Sequence, residues 1–128
     1  PMAPVTTSFA VIVGALLTAL AINTTRLRLR HGRDLSPSAL EAIRRASRAH
    51  GNTLEHGLPL LLLMFLAEVN GVAAHWLCGI GSAFVVARAL YVLGMLTRPT
   101  SMPMRIGAGG TYLLEIVLLS LLLGARLG

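Results

Sequence analysis

Long, almost uninterrupted apolar runs restrict the fold of this chain more than any other feature. The runs are about 17 to 24 residues long and are separated by polar breaks, and a helix of about 20 apolar residues crosses the roughly 30 Å hydrocarbon core of a bilayer. Strands of a transmembrane barrel would instead show alternating segments of about ten residues. The pattern therefore predicts an all-α integral membrane protein, a bundle of four transmembrane helices.

The predicted spans cover about residues 5–25, 53–69, 72–95 and 106–123, and together they predict a single domain over residues 1–128. Ser36-Pro37 and a capping box, Ser38-x-x-Glu41, mark the start of the second helix in water or at the interface. Asn70-Gly71 predicts a tight turn before the third span. Early in the fourth span, small residues would allow close helix approach, namely Gly107, Gly109 and Gly110.

Composition excludes several other classes of protein. Charged residues make up 12% of the chain, against about 25% in typical soluble domains, so a soluble fold is excluded. The net charge of +6 comes from arginines beside or inside the apolar runs, without interleaved aromatic residues, and we therefore expect no nucleic-acid partner. Cys78 is the only cysteine and the histidines show no ligand spacing, so we expect neither a disulfide nor a metal site.

The arginines also predict an orientation. Seven of them lie between Arg26 and Arg48 and two more are Arg98 and Arg105, whereas the turn at Asn70 has none nearby. Because arginine-rich loops stay in the cytoplasm, both termini should face the periplasm of a bacterial inner membrane.

Ionisable residues inside the spans require an explanation, because each costs about 2.5–3.5 kcal/mol on insertion scales unless it has a partner or a polar cavity. Glu55, Arg88 and Glu115 meet this description, and Glu68 lies near an interface. Arg88 and Glu115 fall at similar depths, which predicts a structural ion pair within or between subunits. The alternative is that Arg88 faces a ligand together with Tyr91, one turn away on the same helix face.

A polar stripe runs along the second helix, since Arg48, Asn52 and Glu55 are spaced for one helix face. The stripe could simply join helices at the interface, or it could bind a ligand. Four arginines, Arg26, Arg48, Arg88 and Arg105, belong to the cytoplasmic ends or interiors of different helices and could converge on an anion.

Two motifs resemble a known family. The run Arg48-Ala-His-Gly-Asn52-Thr-Leu-Glu55, with Pro59 after it, and the later run Arg88-Ala-Leu-Tyr91-Val-Leu-Gly94 resemble the MAPEG family, membrane-associated proteins in eicosanoid and glutathione metabolism. Glu68-Val-Asn70-Gly71 is similar to the bacterial members, and the resemblance covers nearly the whole chain.

The resemblance implies a homotrimer in the lipid bilayer, with glutathione bound as co-substrate between subunits near the cytoplasmic side. Its thiolate would attack a lipophilic small-molecule electrophile or reduce a lipid peroxide. Arg26, Arg48, Asn52, Glu55 and Tyr91 match the glutathione-binding positions of the family, and Arg105 matches the approximate position of an arginine that stabilises the thiolate. The chemistry is consistent, because glutathione offers two carboxylates to arginine and an ammonium to a glutamate, and a nearby cation lowers a thiol pKa.

The chain departs from the family at one site position, where Met95 replaces a second tyrosine one turn beyond Tyr91. The identity of the electrophile and of the thiol therefore stays open, and a binding or structural membrane protein without catalysis is the alternative. A small four-helix exporter is disfavoured, because that class carries its essential carboxylate in the first helix, which is uncharged here.

Overall fold

Four antiparallel helices make up the computed structural model, which describes residues 2–128. They are α1 (Pro4–His31), α2 (Pro37–Val69), α3 (Ala74–Thr97) and α4 (Met102–Leu127), and these described residues contain no strand. The all-helical expectation is confirmed, and the helices extend beyond most of the predicted spans because their polar ends continue past the apolar runs.

The first two helices lie antiparallel over almost the full length of α1. The Glu68 carboxylate near the end of α2 accepts hydrogen bonds from the Val5 and Thr6 amides, at 2.9 and 2.8 Å, and so caps the start of α1. At the opposite end, Arg28 Nη2 donates to Ser47 Oγ at 3.5 Å. Residues 47–68 of α2 therefore lie beside the apolar part of α1.

Glycines set the contact between α3 and α4. A Cβ on Gly107 would lie 2.6 Å from the Tyr91 amide nitrogen and against the Ala87 carbonyl oxygen, so the backbones touch at this point. The predicted role of Gly107 in close packing is thus confirmed. Gly109 has nothing within 4 Å of such a Cβ, so the expectation of close packing at that glycine is wrong.

Two core clusters lie between the helices: the smaller, formed by Leu20, Ala49, Tyr91 and Val92, lies toward the arginine-rich end, and the larger lies on the side away from the arginines. The larger cluster is formed by Val13, Leu60, Met64, Ala67, Leu77, Ile80, Phe84 and Leu118. Many large apolar side chains point outward instead, as expected of a protein in hydrocarbon, where no water drives them inside.

Three helices, α1, α3 and α4, are long and apolar enough to cross a membrane, which makes the chain a multi-pass membrane protein. The apolar half of α2 is shorter and carries Glu55, His56 and Glu68.

Two local features bear on the predicted boundaries. Ser36, not Ser38, caps α2, because its hydroxyl accepts from the Ala39 amide at 3.3 Å. Glu41 binds Arg44 and Arg45 instead of completing a capping box. The turn at Asn70-Gly71 forms as expected, with Gly71 in the left-handed region at a φ of 86°.

Candidate functional site

Polar side chains of α2 and α4 meet along one edge of the bundle, which we call the α2–α4 groove. Asn52 and His56 lie on its α2 side, Tyr112 and Glu115 lie on its α4 side, and Thr111 is buried beneath it. His56 Nδ1 lies 2.8 Å from Glu115 Oε1, and the imidazole meets the Tyr112 ring edge-on with centroids 5.3 Å apart. The His56 and Glu115 side chains are 18% and 20% exposed, so this pair lies at the surface of the bundle, inside its apolar zone.

Arg88 of α3 forms the floor of the groove and is completely buried. Its Nη1 donates to Asn52 Oδ1 at 2.7 Å and its Nη2 donates to Thr111 Oγ1 at 2.6 Å. The guanidinium carbon also lies 4.6 Å from the centre of the Tyr91 ring, within cation–π range. One cation therefore joins α2, α3 and α4, and Tyr91 lies beneath the groove beside it.

The predicted ion pair between Arg88 and Glu115 is wrong. Arg88 reaches Thr111, one turn before Glu115 on α4, while Glu115 binds His56. A pair between subunits is excluded as well, because Arg88 has no exposed surface. For the same reason Arg88 is closed to an external ligand, and its role in this subunit is to hold three helices together. The Asn52 side chain is also partly occupied, because its Oδ1 accepts a hydrogen bond from Arg88.

The rim of the groove carries the exposed charges. Arg48 and Glu55 are exposed on the α2 stripe, and Arg105 is exposed on α4 two turns before Tyr112 and hence on the same helix face. Within residues 2–128, the side chains of these three residues make no hydrogen bond or salt bridge. They are available to a molecule that lies along the groove.

A cavity of about 250 Å³ lies at the arginine-rich end of the groove, lined by Arg44, Arg45, Arg48, Met95, Pro99, Thr100 and Met104. Glu41 lies 2.8 Å from Arg44 Nε and 2.9 Å from Arg45 Nε. The hydrogen bonds from Arg44 and then from Arg45 lower the pKa of Glu41 to about 2, so this carboxylate stays ionised at neutral pH. Of the three arginines that line this cavity, Arg48 is therefore the one that Glu41 does not bind.

Arg26 lies elsewhere. It lines a different cavity, of about 440 Å³, between α1, α2 and α3, and its Nη2 donates to Asn23 Oδ1 at 2.9 Å. The structure does not bring Arg26 into the groove of its own chain. The other expected residues, Arg48, Asn52, Glu55, Arg88, Tyr91 and Arg105, line the groove or lie beneath it.

Sequence reasoning missed His56. The spacing of the histidines bears only on metal binding, whereas the position of His56, one turn after Asn52 inside an apolar run, makes it unusual. The signal that could have identified it is Glu115, the only carboxylate in α1, α3 or α4, which needs a polar partner at its depth and finds one on α2.

A bundle in which three helices are long and apolar enough to cross a bilayer defines a multi-pass membrane protein. The family model described as "MAPEG family" matches residues 6–125, nearly the whole chain. The chain belongs to the MAPEG family, membrane proteins of eicosanoid and glutathione metabolism that generally use glutathione. No match was found among curated proteins.

Proposed function

We propose that this protein is a membrane enzyme that transfers glutathione to lipophilic electrophiles or reduces lipid peroxides with it. The observation that carries the proposal is the α2–α4 groove, where Arg48, Glu55 and Arg105 are exposed and unpaired in the described chain, beside the buried Tyr91.

The charges of glutathione fit this set. Arg48 would bind a carboxylate, a charge-assisted contact of the kind that arginine makes well. Glu55 lies in the apolar half of α2, where an exposed carboxylate is costly without a cation, and the glutathione ammonium is such a cation. Arg105 would stabilise the thiolate, because a nearby positive charge favours the ionised thiol.

A homotrimer completes the site. Arg26 is exposed but lies outside the groove of its own chain, so it contributes if the groove is covered by α1 of a neighbouring subunit. Members of the MAPEG family are typically trimers, which supports this arrangement. Glutathione then lies between subunits, and Arg88 and Asn52 act behind it as supporting residues.

The helix packing supports the proposed membrane arrangement. Because residues 47–68 of α2 lie beside α1, we infer that α2 is a fourth span of a single domain over residues 1–128. We place the arginine-rich end in the cytoplasm and both termini in the periplasm of a bacterial inner membrane. Glutathione enters from the cytoplasm, and the electrophile enters from the lipid.

The proposal is tested by comparing turnover with binding. A chromogenic electrophile should react faster with glutathione in the presence of the protein, and Arg105→Ala should lower kcat by about 100-fold while weakening glutathione binding much less. Arg33→Ala, an exposed arginine of the α1–α2 connector, is the matched control and should change neither. Equal losses of turnover and binding would make Arg105 an ordinary contact, and glutathione binding without turnover would favour the non-enzymatic alternative.

A further inference from the structure

The chemistry of the proposed reaction needs a proton carrier that the residues assigned so far do not supply. Arg105 can stabilise a thiolate, but a guanidinium stays protonated at all working pH values and cannot accept the thiol proton. Inside the apolar zone, bulk water is not available to take that proton or to neutralise an anion formed on the substrate.

His56 has the geometry of such a carrier. Its Nδ1 lies 2.8 Å from Glu115 Oε1. In the arrangement that catalysis requires, the carboxylate accepts from Nδ1–H and Nε2 keeps its lone pair. Nε2 makes no hydrogen bond within residues 2–128. A carboxylate that orients an imidazole and stabilises its protonated form is the arrangement that makes histidine an effective base and acid.

The groups around His56 suit this role. From α4 the imidazole is faced by Glu115 and Tyr112, and the charged and titratable groups that α3 places beneath the groove are Arg88 and Tyr91. Arg88 and Glu115 do not touch, because Arg88 binds Asn52 and Thr111 while Glu115 binds His56. On α2 itself Glu55 precedes His56, and the α1 segment before Arg26 carries no titratable side chain.

We propose that His56 is the acid–base residue of the groove and that Glu115 is its positioning residue, an inference that rests on the proposed function. His56 Nε2 takes the proton of the glutathione thiol. With an α,β-unsaturated ketone, the sulfur forms a bond to the β-carbon, the carbon–carbon π pair moves to give an enolate, and His56 returns the proton to it. Hydrogen and sulfur are added across the double bond, and no oxidant or reductant is needed.

The test compares two lipophilic electrophiles with the purified full-length protein and glutathione. The enone needs a proton back, whereas an aryl halide loses halide with the bonding electron pair and needs no proton returned to the product. His56→Gln should lower kcat for both by about 10²-fold at pH 7. Above about pH 9 glutathione enters from solution already as the thiolate, so the halide rate should approach that of the unchanged protein, whereas the enone rate should stay at least about tenfold low.

Two further variants separate acid–base chemistry from structure. Glu115→Gln still offers an amide to the imidazole but lacks the charge that stabilises the protonated imidazole. We therefore expect kcat to fall about tenfold or more while the KM for glutathione stays unchanged. Glu115→Asp restores the charge and should recover part of the loss. His75→Gln alters an exposed histidine at the far end of the bundle and is the matched control, with no expected change.

Several results would overturn the inference. The pair is structural if His56→Gln and Glu115→Gln are as active as the unchanged protein. It is also structural if the variants lower kcat for both substrates by the same factor at every pH. If His56→Gln fails to fold, the ratio of enone to halide kcat values measured with Glu115→Gln tests the inference alone. If the unchanged protein binds no glutathione, both the proposed function and this inference are overturned. If it binds glutathione and the His56 and Glu115 variants keep full activity, only this inference is overturned.

Discussion

Arg88 is the residue on which the centre of the molecule depends. A buried guanidinium needs its donors satisfied, and Asn52 and Thr111 accept from its two terminal nitrogens, while its Nε has no partner in residues 2–128. Because no carboxylate touches this cation, the neutral acceptors carry more of its stabilisation than they would in an ion pair.

Removing one acceptor should therefore be damaging. Thr111→Val keeps the shape of the side chain but leaves a buried charged donor unmatched, and we expect the free energy of unfolding to fall by about 1–3 kcal/mol. Thermal unfolding in a mild detergent measures this. Thr18→Val, an exposed position on α1, is the control; equal shifts for the two variants would contradict the assigned role of Thr111.

The partner of Glu115 can be tested by a double-mutant cycle. Since His56 and Glu115 are in direct contact, His56→Leu and Glu115→Leu should show a coupling energy of about 0.5–3 kcal/mol in unfolding experiments. The distant His75→Leu combined with Glu115→Leu should be additive. Additivity of the first pair would remove the contact on which the acid–base inference rests.

At the scale of the elements, the contact between α3 and α4 depends on glycine. Gly107→Ala would place a methyl group against the α3 backbone at Ala87 and Tyr91, and overpacking of this kind lowers stability by about 1–3 kcal/mol. Gly109→Ala meets nothing within 4 Å and should be neutral or slightly stabilising, because alanine favours helix by up to about 1 kcal/mol. Thermal unfolding of the two variants side by side measures the difference, and similar behaviour would contradict this packing.

The sequence predicted the helices well because hydrocarbon allows few alternatives, and run length with hydropathy specifies a membrane helix almost alone. It predicted Glu55 and Arg88 as unusual residues for the same reason. It could not predict which polar groups pair. Glu115 and Arg88 lie at similar depths in the membrane, so depth alone would allow them to pair. Depth does not specify how each helix is rotated about its own axis, however, and the rotation of α2 and α4 brings His56 to Glu115 and Thr111 to Arg88.

At the scale of the whole molecule, the arginines predict the orientation. The proposed topology, with both termini in the periplasm, predicts that a reporter active only in the cytoplasm is silent when fused after residue 128 and active when inserted near Gly32, in the α1–α2 connector. Activity of the terminal fusion would reverse the topology and place the proposed groove at the wrong side for cytoplasmic glutathione.

Assembly is the second test at this scale. Native mass spectrometry from mild detergents should show a trimer, because Glu55 and the exposed arginines of the groove need cover that one subunit does not supply. A monomer or dimer in every detergent would remove Arg26 from the proposed site.

The most direct measurement is glutathione binding by calorimetry to the trimer in detergent. The α2–α4 groove should bind one glutathione per subunit. Arg48→Ala should weaken that binding by roughly tenfold or more, as loss of a charge-assisted contact worth about 1.5–3 kcal/mol requires, while Arg33→Ala leaves it unchanged. An intact trimer that binds no glutathione, or that binds it equally well without Arg48, would contradict the groove as the site.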